Sequence, residues 1–322
     1  MDRKYKIVIL ERNSVGSDVS VSMFEKLGDV TVYDTTAPDE IAGRVKDADI
    51  VLINKSPINE STIGAAPNIK LVGEFATGYD NVDINYCTSR GIAVTNVRGY
   101  STSAVVQHTF ALALYVTEHL KYYDEYVKSG EYEKSGFFTH YGQTFTELSG
   151  KTWGIIGMGN IGRGVAKVAE SFGCNVIWSS ASGTVRDEGY KYAELGELLS
   201  TADIISLHCP LNEKTKYLIN KETLSKMKKT AVLINVARGP VVNNSDLYEA
   251  LENNEIAGAG LDVLDGEPIT PDNPLKKFKD SNRLIITPHM AWASTEARTR
   301  CVEEAYKNTE SFINGQDRCR VI

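Results

Sequence analysis

The chain of 322 residues is too long for one ordinary hydrophobic core, so its length predicts two domains. Hydrophobic residues make up 42% and charged residues 24%, which is the balance of a folded globular protein and excludes a disordered one. The net charge of −7 comes without a run of basic residues. Nucleic-acid and anionic-membrane surfaces need clustered Lys and Arg, so neither kind of partner is expected.

The cysteines are odd in number and scattered, with no Cys-x-x-Cys pair; they are Cys87, Cys174, Cys209, Cys301 and Cys319. This usage is typical of reduced thiols in a cytoplasm, and it predicts neither a disulfide framework nor a metal site. The N-terminus runs directly into a strand-like apolar segment without the cleavage region of a signal peptide. No apolar run approaches the ~20 residues that span a bilayer. We therefore expect a cytoplasmic protein.

Short apolar runs alternate with amphipathic segments over the first hundred residues. The runs are rich in Val and Ile and predict buried strands at residues 6–10, 30–33, 50–53, 71–75 and 92–94. Helical candidates between them include residues 18–27 and 39–48. Strand–helix alternation of this kind predicts a parallel sheet with helices on its faces. This segment has no glycine-rich phosphate loop.

A long helix is predicted from about Ser101, where Ser101 or Thr102 can cap the first turn. The tyrosine-rich stretch 122–145 that follows is polar, so we expect it on a surface, where it can face a partner subunit. A second strand–helix series then predicts strands at residues 152–157, 175–179, 204–208, 231–236, 258–262 and 283–287. One more helix is predicted at residues 294–314.

These elements predict an α/β protein with two Rossmann-like, doubly wound parallel-sheet domains. The block 102–289, which carries the nucleotide signature, is inserted in a domain built from residues 1–101 and 290–322. The inserted block is expected to bind a dinucleotide, and the outer domain is expected to bind the substrate.

The nucleotide signature is Gly157-Met-Gly-Asn-Ile-Gly162, between a predicted strand and a predicted helix. Gly157 permits the tight turn, Gly159 lets a pyrophosphate approach the backbone, and Gly162 lets the helix pack closely on the strand. The helix N-terminus offers N–H groups and a positive dipole end to the phosphates. Because strand, loop and helix come in this order, the signature predicts NAD or NADP as the cofactor.

The residue at the end of the next predicted strand leaves the choice between NAD and NADP open. An Asp or Glu is expected at its end, about 20 residues after the loop, to bind the ribose hydroxyls. Ser180 stands there instead. A hydroxyl accepts either a ribose diol or a 2′-phosphate. No arginine is adjacent to clamp the phosphate, and Arg186 is the nearest.

Three residues whose side chains suit hydride-transfer chemistry follow predicted strands. An open parallel sheet binds its ligands at these strand ends. Arg238 can hold the carboxylate and the ketone oxygen of a 2-oxo acid with its fixed fork. His289 can supply the proton that a hydride transfer to the ketone requires, and Glu267 can orient the imidazole and favour its protonated form. Taken singly, each has an ordinary structural interpretation. Their joint placement after a dinucleotide loop predicts a dehydrogenase.

Four segments in this order resemble the D-isomer-specific 2-hydroxyacid dehydrogenase family: residues 150–162, 235–239, 262–268 and 287–289. The resemblance covers essentially the whole chain. It implies NAD(P)-dependent reduction of a small 2-oxo acid to the D-2-hydroxy acid by a homodimer joined through the cofactor domains. Within the family, residues 54–57, 100–102 and 289–294 look most like the glycerate dehydrogenase (hydroxypyruvate reductase) branch.

The resemblance also implies further site residues. Residues 75–83 resemble the family's substrate loop, so the backbone at Thr77 and Gly78 is expected to bind the substrate carboxylate. Residues expected to line the cofactor site are Val106, Asn160, Ile161, Cys209, Val236, Ala237 and Asp262. Trp292 either walls the pocket or packs between domains, and Lys55 either adds charge near the substrate or is a solvated loop lysine.

Several alternatives stay open at this point. Glyoxylate, pyruvate or phenylpyruvate can replace hydroxypyruvate as the substrate, since spacing does not give the shape of a pocket. Phe137, Phe138 and Tyr141 can cover the site from the same or a partner subunit, and a bulkier 2-oxo acid then becomes possible. A different class is a non-catalytic, dinucleotide-sensing protein of the corepressor type. The complete set of Arg238, Glu267 and His289 favours the enzyme.

Overall fold

The computed structural model describes residues 4–181, 183–186 and 188–322. It divides into two compact units, one formed by the chain up to Ser101 with Trp292–Ile322 and the other by Thr102–Ala291. The second unit extends two residues beyond the predicted limit of the insertion at residue 289. The physical reason is that the backbone N–H groups of Met290 and Ala291 donate to the Asp262 carboxylate, each at 2.8 Å, inside the second unit.

The first unit is built on a five-stranded parallel sheet, as predicted. Its strands are β1 (Tyr5–Ile9), β2 (Gly28–Val32), β3 (Ile50–Ile53), β4 (Leu71–Glu74) and β5 (Ala93–Thr95), in the order β2-β1-β3-β4-β5. The helices are α1 (Ile41–Val45), α2 (Glu60–Ile63), α3 (Ile84–Ser89) and, at the end of the chain, the helix Thr295–Ile313. All residues of β3 and β4 are buried, which explains the continuous apolar run of β3, although β4 ends in the buried Glu74.

The helix predicted at residues 18–27 is wrong. The structure has a short 3-10 helix, Ser22–Lys26, in which Phe24 is the one buried residue. The Ser20 hydroxyl accepts a hydrogen bond from the backbone N–H of Ser22 at 3.2 Å, and the two serine hydroxyls lie 2.9 Å apart. Serine side chains that bond the local backbone compete with a regular helix, so the segment makes one tight turn around a single apolar anchor.

The second unit holds a seven-stranded parallel sheet. Its strands are β6 (Thr152–Ile156), β7 (Asn175–Ser179), β8 (Lys191–Tyr192), β9 (Ile204–Leu207), β10 (Val232–Asn235), β11 (Gly258–Leu261) and β12 (Leu284–Ile286), in the order β12-β11-β10-β9-β6-β7-β8. Six of them lie within two residues of the predicted strands. The two-residue β8 was not predicted, because it is too short to show a pattern. The prediction of two doubly wound α/β domains is confirmed.

Helices cover this sheet and extend beyond it. They are α4 (Thr102–Thr117), α5 (Leu120–Lys128), α6 (Glu131–Ser135), α7 (Asn160–Ser171), α8 (Leu195–Thr201), α9 (Lys221–Leu224) and α10 (Asn244–Glu252); the helix Thr295–Ile313 of the first unit is α11. No helix among the described residues is both long and apolar enough to cross a membrane.

The stretch 122–145 lies on the surface, as predicted, but part of it is helical. Helices α5 and α6 have no buried residue. The ring of His140 stacks on that of Tyr126, with 3.7 Å between the ring centroids. Beyond α6, Phe137, Phe138 and Tyr141 are 76%, 92% and 81% exposed. This segment therefore carries large aromatic side chains that its own unit leaves uncovered.

Candidate active site

The glycine-rich loop connects β6 to α7 as the sequence predicts. Gly157 has a φ of +98°, and a Cβ there would lie 2.8 Å from the backbone of His208 and Cys209. At Gly162 a Cβ would lie 2.2 Å from the Gly157 carbonyl oxygen. Both positions therefore require glycine, the first for the turn and the second for the packing of the helix on the loop.

Gly159 differs from these two glycines because nothing lies within 4 Å of the Cβ position. The space over its backbone is open, and α7 begins at the next residue, Asn160. The first backbone N–H groups of a helix have no partner within it, so this end of α7 offers donors to a ligand. An open backbone in front of a 12-residue helix fits the pyrophosphate of NAD or NADP.

The other predicted cofactor residues surround the loop or follow β10. Val106 of α4 packs on α7, since a Cβ at Gly164 would lie 2.7 Å from Val106 Cγ2. Cys209 is buried, and burial raises the pKa of its thiol to about 11, so the thiol stays neutral. Val236 and Ala237 directly follow β10, while Ile161 lies in the first turn of α7.

Arg238, Glu267 and His289 follow three strands that are neighbours in the sheet. Arg238 comes after β10, Glu267 after β11 and His289 after β12, and the sheet order is β12-β11-β10. Because the strands are parallel, all three residues lie at the carboxyl edge of the sheet. This is the edge at which α/β sheets bind their ligands.

The structure brings His289 and Glu267 into direct contact. His289 Nδ1 lies 2.6 Å from Glu267 Oε2, and Glu267 Oε1 accepts the backbone N–H of Leu264 at 2.8 Å. An ionised carboxylate only accepts hydrogen bonds, so Nδ1 carries a hydrogen and donates it to Glu267. The protonated imidazole then presents its second proton on Nε2. That nitrogen is the one that can act as an acid.

The backbone of His289 is held in a conformation that residues with a side chain seldom adopt. Its φ is +53°, in the left-handed region. Its N–H donates to the carbonyl oxygens of Asp262 at 2.8 Å and Thr287 at 3.0 Å. Surrounding structure must enforce such a backbone, and strained positions of this kind concentrate at functional sites.

Asp262 provides much of that enforcement. Its two carboxylate oxygens accept the backbone N–H groups of Met290 and Ala291, and Oδ1 also accepts the Thr287 hydroxyl at 2.6 Å. Burial raises the pKa of Asp262, but hydrogen bonds from His108, Thr287 and these amides outweigh burial and lower it. The carboxylate is therefore ionised at neutral pH and fixes the chain on both sides of His289.

His108 completes this network from α4. Its Nε2 lies 2.9 Å from Thr287 Oγ1 and, in a longer second contact, 3.5 Å from Asp262 Oδ1. Because the Thr287 hydroxyl gives its hydrogen to Asp262, Nε2 of His108 must be the donor to Thr287. The resemblance placed Val106 of the same helix near the cofactor, and this role of His108 was not predicted.

The Arg238 loop packs directly on the Glu267 loop. Gly239 lies so close to the backbone of Leu264 that a Cβ would be 1.8 Å from the Leu264 carbonyl oxygen. Asn235 supports the loop by donating to the Arg238 carbonyl oxygen at 3.0 Å and accepting the Ala237 N–H at 3.0 Å. Gly239 therefore sets the distance between the strand-end loops that carry Arg238 and Glu267.

We expect Gly239→Ala to lower kcat/KM by about tenfold or more. The added methyl group cannot fit, so the Arg238 loop must move away from the Glu267 loop, and misplacement of about 1 Å can cost about 10²-fold in rate. Steady-state kinetics test this result. Gly196→Ala in α8 is the control, since nothing lies within 4 Å of its Cβ position. Equal kinetics for the two variants would contradict the role of Gly239.

In the first unit the predicted substrate residues follow β3 and β4. Thr77 is exposed. Its hydroxyl donates to the Val97 carbonyl oxygen, and the side-chain amide of Asn96 donates to the Thr77 carbonyl oxygen, each at 2.7 Å. These two hydrogen bonds hold the loop in place. Gly78, the next residue, is half-buried. The loop follows the carboxyl end of β4, the edge of the sheet at which α/β domains bind their ligands.

Lys55 lies on a loop that Glu11 organises. Oε2 of Glu11 accepts the backbone N–H groups of three successive residues, Asn54, Lys55 and Ser56, each at 2.9 Å. Consecutive amides that point at one oxygen form an anion-binding nest, here filled by a side chain of the same unit. The Lys55 side chain remains exposed. Glu11 was not predicted, because a contact over this sequence distance leaves no signal in the spacing.

Trp292 belongs to the first unit and packs edge-on against Tyr100. Their ring centroids are 6.3 Å apart, and Arg300 donates to the Tyr100 carbonyl oxygen at 3.0 Å. The ring of Trp292 is half-buried, so this contact leaves part of it uncovered.

Among the residues with described placement, no group of three His, Cys, Asp or Glu side chains could hold a metal ion.

A dinucleotide loop and a carboxylate–imidazole pair beside an arginine loop define a nicotinamide-dependent dehydrogenase. The family model described as "D-isomer specific 2-hydroxyacid dehydrogenase, NAD binding domain" matches residues 110–291. The chain belongs to the D-isomer-specific 2-hydroxyacid dehydrogenase family. It is an oxidoreductase that transfers a hydride between NAD(P)H and a small 2-oxo acid.

The similarity extends over nearly the whole chain. A hydroxypyruvate reductase from Blautia hydrogenotrophica is 39% identical over 316 residues, which are 96% of this chain and 97% of that protein. A glycerate dehydrogenase from Methylorubrum extorquens is 36% identical over 312 residues, 97% of each chain. The solved structure of an acyclic imino acid reductase (Bsp5) with NADPH and D-Arg has a TM-score of 0.87 and 31% identity, covering 98% of this chain and 100% of that one.

Proposed function

We propose that the protein reduces hydroxypyruvate to D-glycerate. The observation that carries the proposal is the hydrogen bond of 2.6 Å between His289 and Glu267, next to the Arg238 loop at one sheet edge. The hydroxypyruvate reductase and glycerate dehydrogenase among its relatives support this choice of substrate. The protein is proposed to work in the cytoplasm, as its scattered cysteines suggest.

The side chains divide the chemistry between them. NAD(P)H, when bound, supplies the hydride that becomes the C2 hydrogen of the product. His289 gives the Nε2 proton to the carbonyl oxygen as negative charge develops there, and Glu267 stabilises the imidazolium before that transfer. Arg238 binds the carboxylate and the carbonyl oxygen. The amides of Thr77 and Gly78 bind the carboxylate, and Lys55 adds positive charge.

A substrate panel tests the proposal. Initial rates with NADH and with NADPH are compared for hydroxypyruvate, glyoxylate, pyruvate and phenylpyruvate. We expect hydroxypyruvate to have the highest kcat/KM. A higher value for another 2-oxo acid would reassign the substrate within the family, and no turnover of any of the four would reject the enzymatic function.

The exposed aromatic segment suggests how two copies associate. Phe137, Phe138 and Tyr141 form an apolar surface that a monomer would leave in water, and uncovered patches of this kind mark protein interfaces. We expect a homodimer that buries this segment, with a mass of about twice 35.4 kDa in sedimentation equilibrium. Replacing Phe137 and Phe138 by Ser should shift the mass toward the monomer. A monomeric wild type would contradict the dimer.

Ser180, which follows β7, is one position where a substitution should change the choice of coenzyme. A carboxylate at Ser180 would accept hydrogen bonds from ribose hydroxyls and repel a 2′-phosphate. We therefore expect Ser180→Asp to shift the ratio of kcat/KM values toward NADH, by about tenfold. Ser180→Asn is the control of matched size without the charge. An unchanged ratio, or a ratio shifted toward NADPH, would contradict this placement of Ser180.

A further inference from the structure

An ion pair links α7 to the segment that follows β7. Arg163 Nη1 lies 2.8 Å from Glu188 Oε2. The Glu188 side chain is only 11% exposed and that of Arg163 is 43% exposed, so the carboxylate is the better shielded partner. Fully exposed ion pairs contribute little to the free energy of unfolding. A carboxylate that is shielded from water interacts more strongly with a fixed cation.

Arg163 is also fixed to the glycine-rich loop itself. Nη1 donates to the Met158 carbonyl oxygen at 3.0 Å, and Nη2 donates to the Asn160 Oδ1 at 3.0 Å. Met158 lies between the first two glycines of the loop, and Asn160 begins α7. The guanidinium therefore lies at the phosphate-binding loop, and the ion pair holds Glu188 beside it.

The position of this pair bears on coenzyme selection. Dinucleotide domains place the adenosine ribose beside the glycine loop and the end of the next strand, here β7, whose Ser179 carbonyl oxygen accepts the Gly157 N–H at 3.0 Å. An acidic side chain there selects NAD(H), while an arginine there accepts the 2′-phosphate of NADP(H). Ser180 at the strand end is uncharged. Arg163 and Glu188 supply both kinds of charged group beside the glycine-rich loop, and they form an ion pair with each other.

We propose that Glu188 determines the coenzyme selectivity of this unit and directs it toward NAD(H). Its carboxylate neutralises the Arg163 guanidinium, which is then not available to a 2′-phosphate, and it adds its own repulsion to that phosphate. Glu188 thus replaces the acidic residue that the end of β7 lacks. The inference rests on the proposed function only in requiring that this unit binds a nicotinamide dinucleotide.

Direct binding tests the proposal without turnover. Dissociation constants for NADH, NADPH, AMP and adenosine 2′,5′-bisphosphate are measured by calorimetry on the whole protein. The wild type should bind NADH more tightly than NADPH. Glu188→Gln should tighten NADPH and adenosine 2′,5′-bisphosphate by about tenfold and change NADH and AMP by less than about twofold. Glu197→Gln, which removes the same charge from the exposed pair with Lys191 (2.8 Å), should change none of the four.

Arg163 provides the second arm. Arg163→Gln leaves the Glu188 carboxylate without its cation, so NADPH should bind about tenfold more weakly than to the wild type. In the double variant Arg163→Gln/Glu188→Gln, the gain in NADPH affinity from Glu188→Gln should disappear, because the guanidinium that anchors the phosphate is gone. The single Arg163 variant keeps the test decisive if Glu188→Gln does not fold.

Three results would overturn the proposal: a wild type that prefers NADPH, a Glu188→Gln variant with unchanged selectivity, or a double variant that keeps the gain. None of them concerns the reaction. A protein that binds NADH selectively but reduces no 2-oxo acid would reject the proposed function and support this inference, so the two failures are distinguishable.

Discussion

Replacing His289 by Ala is expected to lower kcat by about 10²–10⁴, with little change in the KM for hydroxypyruvate. In the proposed function the imidazole gives its Nε2 proton to the carbonyl oxygen, and its 2.6 Å contact with Glu267 fixes which nitrogen is available. Without it, the proton must come from water. Steady-state kinetics at saturating coenzyme measure the effect.

Coenzyme binding by the same variant is the control. The glycine loop and its contacts do not involve the His289 side chain, so His289→Ala should bind NADH as the wild type does. A variant that retains kcat would remove His289 from the role of acid. Loss of both kcat and NADH binding would indicate a folding defect instead.

Replacing Arg238 by Ala is expected to lower kcat/KM by about 10²-fold or more, because charge-assisted hydrogen bonds to the substrate carboxylate are lost. Arg238→Lys should recover little of the activity, since an ammonium group cannot bind a carboxylate and a carbonyl oxygen with a planar fork. Kinetics on hydroxypyruvate measure both variants.

The matched control for Arg238 is Lys191→Gln, which removes one positive charge from an exposed pair in the same unit. It should leave kcat/KM within about twofold of the wild type, because exposed charges at a distance are screened by salt. If both variants lose activity equally, the effect comes from net charge, and Arg238 has no specific contact with the substrate.

Much of the fold could be predicted because the central strands of both sheets are buried on both faces. Residues 50–53, for example, are four successive apolar side chains, which a parallel sheet covered by helices requires. The helix expected at residues 18–27 failed since local serine hydrogen bonds and one buried Phe decide that segment, and periodicity does not show them. Helices α5 and α6 were not predicted, because the polar, tyrosine-rich composition of this stretch indicated only a surface position.

The candidate site could be predicted where order along the chain fixes position in space. Arg238, Glu267 and His289 follow three strands, and parallel strands bring their carboxyl ends to one edge. Contacts between distant segments could not be predicted in this way. The approach of Gly239 to Leu264 and the pairing of Glu188 with Arg163 depend on loop paths that the spacing of residues does not determine.

The carboxylate of Glu11 has a consequence for the energetics of recognition. A loop that closes on an anion normally loses conformational freedom at the moment of binding, which weakens affinity. Here Asn54, Lys55 and Ser56 already direct their amides at an oxygen of the protein itself. The entropy of that loop is therefore lost during folding, so in the proposed function the 2-oxo acid would meet a lysine whose backbone is already ordered.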